Sequence, residues 1–395
     1  MRNILIALDG TWNQPGQRDQ DRVVPSNVVK MVRAAAVGGP EQRRVDREAA
    51  APDDAVFQAR SDDASSCDSS LDKASAGQAS AGEEIQLRYY DAGVGTAGRI
   101  DKLWGGVAGR GLFGNMRQAY AWLMRHYQDG DRLFLIGFSR GAFAVRSLAG
   151  MLDVCGIPRQ VSPRSPRYAP PNTQQAEQIA HQATRIYRMP PGPERNIAVR
   201  EFRARHYSNN GTVHFIGVWD TVGALGLPTR GPLGWLTRRR HGFHNARLGT
   251  NIINAYHALA INEKRAPFQP TLWQWPLPQQ IQNIEQVWFA GVHSNVGGGY
   301  VDAGLSDIAL KWMLEKAEQH GLLINHDYVQ QRIDPNVFGE LRCSLSPMYR
   351  APLLGRAGPR EILTGAPGEA IHPSVSKRWE APSRPEEPPK NLILN

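Results

Sequence analysis

The residues of clearest chemical potential are Gly137-Phe138-Ser139-Arg140-Gly141, a G-x-S-x-G spacing in which two glycines bracket a serine hydroxyl. In a chain with 39 glycines the spacing alone says little. Its surroundings say more. The apolar run Arg132–Gly137 leads into the turn, and Ala142, Val145, Leu148, Ala149 and Leu152 set one apolar helical face directly after Ser139. Strand, tight turn and helix make a nucleophile elbow, where small flanking residues let a strained turn pass close to its neighbours while the hydroxyl stays exposed. The plainer alternative for Ser139 is a helix N-cap after a buried strand.

A serine hydroxyl is a poor nucleophile at neutral pH and needs a base, which in turn needs an orienting group. Among eleven histidines, His293 is the best placed: it closes the run Gln286–Val292 and opens the glycine-rich Ser294–Tyr300 loop. Read blandly, it is a loop histidine satisfied by backbone groups. His257 and His372 are reserves, His257 reading as a packed residue of a helical segment. Asp220 ends the apolar run Val213–Trp219 and is the candidate acid, with Asp302 as a fallback orienter; an aspartate at a strand end is also a common turn former. The chain order Ser139, Asp220, His293 is that of α/β-hydrolases. Oxyanion donors are expected from the backbone N–H of Arg140 and from Gly10 or Thr11, which follow the first apolar run.

Positioning these groups requires a sheet. Ile4–Leu8, Gln86–Tyr90, Arg132–Gly137, Val213–Trp219 and Gln286–Val292 read as strands. Met116/Ala119/Tyr120/Leu123, Ala142–Leu152, Ile252/Tyr256/Leu259 and Leu305/Ile308/Trp312 show helical spacing. The alternation predicts an α/β fold with a mostly parallel sheet and helices on both faces, the ligand lying beyond the carboxyl ends of the strands. One domain over 1–395 is expected. It is interrupted by a low-complexity insertion at about 39–85, a Pro-rich loop at about 158–173 and a Pro-rich tail at about 382–395.

With 41% hydrophobic residues the chain is too apolar for whole-chain disorder. No run reaches the roughly 18–20 uncharged apolar residues of a spanning helix, and the N-terminal apolar run is too short for a signal peptide, so a protein cytoplasmic when made is expected. The three cysteines form no C-x-x-C pair, and no metal or cofactor motif is present. A net charge of +9 favours anionic partners, with no recognised nucleic-acid module to receive it. Gly93–Gly98 fits G-x-G-x-x-G but opens no clean helix, and Asp9-Gly10-Thr11 lacks the nucleophilic aspartate of a D-x-D-G-T phosphatase, since Ala7 stands there.

Several ordered segments together carry a more specific signal. Leu8–Asn13, Tyr89–Thr96, Gly137–Gly141, Gly217–Gly223, His257–Ala260 and Trp288–Tyr300 resemble, in order, the catalytic domain of type VI secretion phospholipase effectors of the first lipase class. Asn262 and Asn295 depart from that pattern, standing where aspartates are expected. The resemblance implies an α/β-hydrolase with Ser139, Asp220 and His293 as its triad and phospholipid as its substrate. For an effector it also implies export by type VI secretion and a spike or immunity-protein partner. Apart from the resemblance, Gly93–Gly114 reads as a lid or substrate loop with Leu103, Trp104, Leu112 and Phe113 as acyl-chain contacts. Trp235 with Arg238, Arg239 and Arg240 reads as a peripheral membrane contact, a solvated basic loop being the plainer reading. A carboxylesterase of small soluble esters and a non-catalytic lipid- or partner-binding relative are the alternatives.

Overall fold

The computed structural model describes residues 1–10, 18–36, 85–92, 107–161, 168–223, 247–345, 358–382, 386 and 388–392. Among the described residues seven strands form the main sheet: β1 (Asn3–Leu8), β2 (Gln86–Asp91), β3 (Arg132–Phe138), β4 (Val213–Trp219), β5 (Ile252–Ala260), β6 (Asn283–Phe289) and β7 (Glu369–Ile371). Their order is β7-β6-β5-β4-β3-β1-β2, and every neighbouring pair is parallel. The sheet therefore grows in one direction from β1 to β2 and in the other from β3 onward. The crevice between β1 and β3 is the switch point where α/β sheets place ligands.

Side-chain alternation divides the core into two layers. Ile4, Ile6, Leu8, Leu133 and Leu135 point to one face, covered by α2 (Val107–His126), α3 (Arg140–Cys155), α4 (Thr173–Tyr187) and α5 (Pro193–Arg205). Leu5, Ala7, Phe134, Ile136 and Phe138 point to the other, covered by α1 (Asn27–Ala34), α7 (Gly304–Gln319), α8 (His326–Arg332) and α9 (Pro373–Trp379). Parallel strands with both faces covered read as continuous apolar runs, and β1 is buried at all six positions. The helices start on side-chain caps where the sequence supplies them. Ser26 accepts from Val29 N–H at α1, and Asn172 with Gln175 forms a capping box at α4. On the second face the buried Lys30–Asp307 pair, 2.5 Å apart, ties α1 to α7.

Two sequence expectations need correction. Ile252–Ala260 is a strand: its apolar residues at 252, 256 and 259 mimic helical spacing because the strand is central and buried on both faces, which removes the two-residue alternation. The run read as Gln286–Val292 is β6, Asn283–Phe289, and it stops short because the backbone turns at Gly291, φ 124°. His293 then opens a short helix, α6 (His293–Gly297), in place of the expected glycine loop, with Gly298 and Gly299 at positive φ beyond it. The 39–84 part of the insertion and residues 162–167 of the Pro-rich loop lie outside the described residues. From the tail, Leu392 is buried in the second core layer and Asn391 donates to the Arg360 carbonyl at 2.9 Å.

Candidate active site

Ser139 sits between β3 and α3 with φ 57° and ψ −117°, a left-handed position that a non-glycine residue occupies only when its surroundings impose it. Steric demands on the two glycines account for the spacing. A Cβ on Gly137 would lie 2.7 Å from the Gly141 backbone, and one on Gly141 would lie 2.0 Å from the Leu8 carbonyl oxygen. The first contact lets the elbow fold back on itself; the second lets α3 press against the end of β1. Ser139 N–H donates to the Trp219 carbonyl at 3.0 Å, fastening the turn to β4. The Ser139 side chain makes no capping bond to α3, so the helix-cap reading of this serine fails.

The hydroxyl instead meets His293. Ser139 Oγ lies 2.8 Å from His293 Nε2, and His293 Nδ1 lies 2.5 Å from Asp220 Oδ2. All three residues are buried, with relative exposures of 9% for Ser139, 5% for His293 and 0% for Asp220. Asp220 follows β4 at φ 39°, its N–H donating to the Ala258 carbonyl at 2.7 Å, so β5 sets the direction of the turn. Phe138 and Phe268 flank the imidazole, ring centroids 4.6 and 4.9 Å away. Gly297 makes room for the first of these, since a Cβ there would strike the Phe138 ring at 2.0 Å. Burial lowers the His293 pKa from its usual value, and this outweighs the opposing pull of the Asp220 hydrogen bond and charge. Burial opposes ionisation of Asp220, but Arg360 and then His293 overcome it and hold the carboxyl well below the usual range. A neutral imidazole that donates from Nδ1 to a carboxylate can accept a hydroxyl proton at Nε2.

Several residues that organise this site carry no motif. Arg360, buried like Asp220, donates through two nitrogens to Asp220 Oδ1 at 2.6 Å and Oδ2 at 2.9 Å. Glu263 accepts from the His293 N–H at 3.3 Å, from Arg265 Nη2 at 2.8 Å and from Ser344 Oγ at 2.8 Å. Burial raises the Glu263 pKa, Arg265 pulls it down, and the balance lies at about 2. His257 is a fully buried strand residue whose Nε2 accepts the Thr221 N–H at 3.1 Å, which steadies the turn after Asp220. Burial, then Arg146, push its pKa down to about 3. Only the rule that a buried carboxylate needs donors or a counter-ion hints at such partners, and it does not say where in the chain they lie.

The remaining expected residues fall as follows. Arg140 opens α3, so its N–H belongs to the helix end that favours negative charge. Gly10 N–H donates to Asp9 Oδ1 at 2.8 Å; Asp9 is buried and also accepts from Ser26 Oγ. Asp302 accepts the N–H groups of Gly304 and Glu340 and makes no contact with His293 among the described bonds. His372 caps α9. Phe113 is half-buried against the first core layer, 4.9 Å from the Arg188 guanidinium. Thr11, Leu103, Trp104, Trp235, Arg238, Arg239 and Arg240 lie outside the described residues, as does the side chain of Leu112. Asn262 Oδ1 accepts the Gly291 N–H at 2.8 Å. Asn295 Oδ1 accepts from Arg342 N–H while its Nδ2 donates to the Glu340 carbonyl at 3.0 Å, a pairing that uses both ends of an amide. A cavity of about 280 Å³ on the α3 face, lined in part by Arg146, Tyr187, Arg195, Arg247 and Trp273, is bordered by none of Ser139, Asp220 and His293.

A parallel sheet with helices on both faces and an elbow after β3 defines an α/β-hydrolase fold. The chain belongs to the family described as "T6SS, Phospholipase effector Tle1-like, catalytic domain", whose pattern matches residues 2–316. It is also 25% identical over 215 residues to the uncharacterized protein YEL023C of Saccharomyces cerevisiae, a match covering 49% of this chain and 28% of the yeast protein. Among solved structures, an uncharacterized protein from Pseudomonas aeruginosa aligns with a TM-score of 0.41 and 17% identity, over 89% of this chain and 48% of that one. A thermophilic esterase from Thermogutta terrifontis, Est2, solved with butyrate bound, aligns with a TM-score of 0.33 and 14% identity, over 82% and 84% of the two chains. This chain thus spans under a third of the yeast relative and about half of the Pseudomonas protein.

Proposed function

We propose that this protein is a serine hydrolase of lipid acyl esters, of phospholipase A type. The observation that carries the reading is the continuous line of contacts from Ser139 Oγ to His293 Nε2, 2.8 Å, and from His293 Nδ1 to Asp220 Oδ2, 2.5 Å. Ser139 attacks the ester carbonyl while His293 Nε2 takes the hydroxyl proton, and Asp220 stabilises the imidazolium that results. The developing oxyanion lies at the amino end of α3, where the Arg140 N–H and the helix dipole favour negative charge. Return of the proton to the departing alcohol leaves an acyl-serine, and water activated by the same imidazole releases the fatty acid.

Family membership supports a phospholipid as the ester, and the net charge of +9 supports encounter with an anionic lipid surface. It also supports export by type VI secretion and a neutralising immunity protein as partner. No helix of the described residues is long and apolar enough to cross a membrane. The test is product identification after incubating the protein with defined phospholipid vesicles. Fatty acid and lysophospholipid are expected, with turnover lost in Ser139→Ala by a factor on the order of 10⁴–10⁶. Turnover of short nitrophenyl esters without release from vesicles would assign the site to small soluble esters, and equal rates in wild type and Ser139→Ala would overturn the reading altogether.

A further inference from the structure

We propose that Arg360 is a positioning residue of this site, carrying the countercharge that keeps Asp220 ionised while His293 rests as the neutral base. The inference rests on the reading of Ser139, His293 and Asp220 as a catalytic relay. It goes beyond that reading in adding a fourth member, from a part of the chain outside the 2–316 segment shared with the family.

The geometry is that of a fork. One guanidinium nitrogen donates to Asp220 Oδ1 at 2.6 Å and to the Ala260 carbonyl at 2.7 Å; another donates to Asp220 Oδ2 at 2.9 Å and to the Phe268 carbonyl. Ala260 N–H also donates to Asp220 Oδ1, at 3.1 Å. The plane of the carboxylate is thereby fixed from two sides, so that Oδ2 faces His293 Nδ1. A planar bidentate donor does this where a single point charge would not. The backbone of Arg360 is itself held, since Asn391 donates to its carbonyl at 2.9 Å.

Charge balance supplies the second half of the argument. Both partners have side chains 0% exposed. With Arg360 present, an ionised Asp220 beside a neutral imidazole leaves no net charge in the buried cluster. Without it, the same protonation state strands a lone anion, which a dry site disfavours strongly. The His293–Asp220 pair would then take up a proton at higher pH, and whichever residue carries it, the base is lost. The other ionisable groups facing the pair, among the described residues, do not replace this charge. Glu263 and Arg265 pair with each other beside the imidazole, while Arg146 acts on His257, which accepts the Thr221 N–H, and stacks 4.9 Å from the Trp273 ring centroid. Tyr300 stands against Arg265 and Glu263.

The experiment measures the rate of fluorophosphonate labelling over about pH 5–9 for wild type, Arg360→Gln, Arg360→Lys and Ser139→Ala. The acid limb of the wild type reports the protonation that disables the base. In Arg360→Gln that limb moves up by about 1–3 pH units, the range expected when a neighbouring opposite charge is removed. In Arg360→Lys it stays within about 0.5 unit of wild type, while the maximal rate falls because a point charge cannot orient both oxygens. A mere structural brace would lower the rate equally at all pH values and would not be rescued by lysine. An unmoved limb in Arg360→Gln, or one displaced as far in Arg360→Lys as in Arg360→Gln, overturns the proposal. Should Arg360→Gln not fold, a limb displaced by about one unit in Arg360→Lys overturns it, and a retained limb with a reduced maximum supports it. Absence of labelling in wild type, or equal labelling of Ser139→Ala, defeats the relay reading itself; labelling with an unmoved limb defeats only the role of Arg360.

Discussion

The two halves of the site are built by different forces. Around Ser139 the determinants are spatial: Gly137 and Gly141 have backbone within 2.7 and 2.0 Å of where a Cβ would stand, and the hydroxyl is aimed by a left-handed turn. Around His293 and Asp220 they are electrostatic. Arg360 forks onto the acid, and Glu263 accepts the His293 N–H while pairing with Arg265. The glycines that make the steric half flank Ser139 in sequence even where the atom they avoid, the Leu8 carbonyl oxygen, does not, whereas charge compensation recruits whatever side chain the fold delivers. A half built by exclusion of atoms tolerates pH change and no added volume; a half built by charge tolerates isosteres poorly and responds to protons.

Substitutions that leave the Ser139 hydroxyl in place can break that contrast, and the largest effect is expected on the electrostatic half. Asp220→Asn should lower labelling and turnover by about 10³–10⁴, since the amide misdirects the imidazole tautomer. It should also cost about 3–5 kcal/mol of stability by leaving Arg360 as a buried cation with no carboxylate. Chemical unfolding of Asp220→Asn combined with Arg360→Met should show stability partly regained and activity still absent. Simple additivity of the two single effects would mean the residues do not act as a pair. On the steric half, Gly141→Ala should destabilise by at least about 3 kcal/mol, because the new methyl meets backbone at the end of β1 and no flexible side chain can yield. A soluble, active Gly141→Ala with an unchanged unfolding midpoint would show that volume does not define the elbow.

Smaller effects sharpen the same distinction. His257 is held at about 3 in the folded chain and returns to about 6.5 when unfolded. Between those values the unfolded state binds a proton that the folded state excludes, so stability falls as pH drops from about 6.5 toward 3, by up to about 1.4 kcal/mol per pH unit. His257→Gln should flatten this share of the slope in urea titrations at stepped pH, and parallel slopes would discount the assignment. Asn295→Asp should cost about 1–3 kcal/mol, from replacing the donor to the Glu340 carbonyl by a second, buried acceptor. A gain in thermal midpoint would instead favour the carboxylate expected at this position.

What was legible in the sequence follows the same division. The elbow, the order of Ser139, Asp220 and His293, and β1, β3 and β4 announce themselves because glycine spacing and uninterrupted apolar runs are local consequences of packing. Ile252–Ala260 mimics helical spacing because double-sided burial erases its alternation. α6 was hidden in a glycine-rich string whose glycines serve the turns at its two ends. Arg360 and Glu263 were invisible for another reason: neither sits in a motif, and their meaning exists only after β5 and the following loop bring Asp220 and His293 to one rim.

Arg360 is also translated long after the three groups it serves. A nascent chain emerging from the ribosome therefore exposes serine, aspartate and histidine before the guanidinium is available to join them. Completion of the site is coupled to docking of the segment that carries Arg360, and a partly synthesised or clipped polypeptide that ends before this arginine leaves its acid uncompensated.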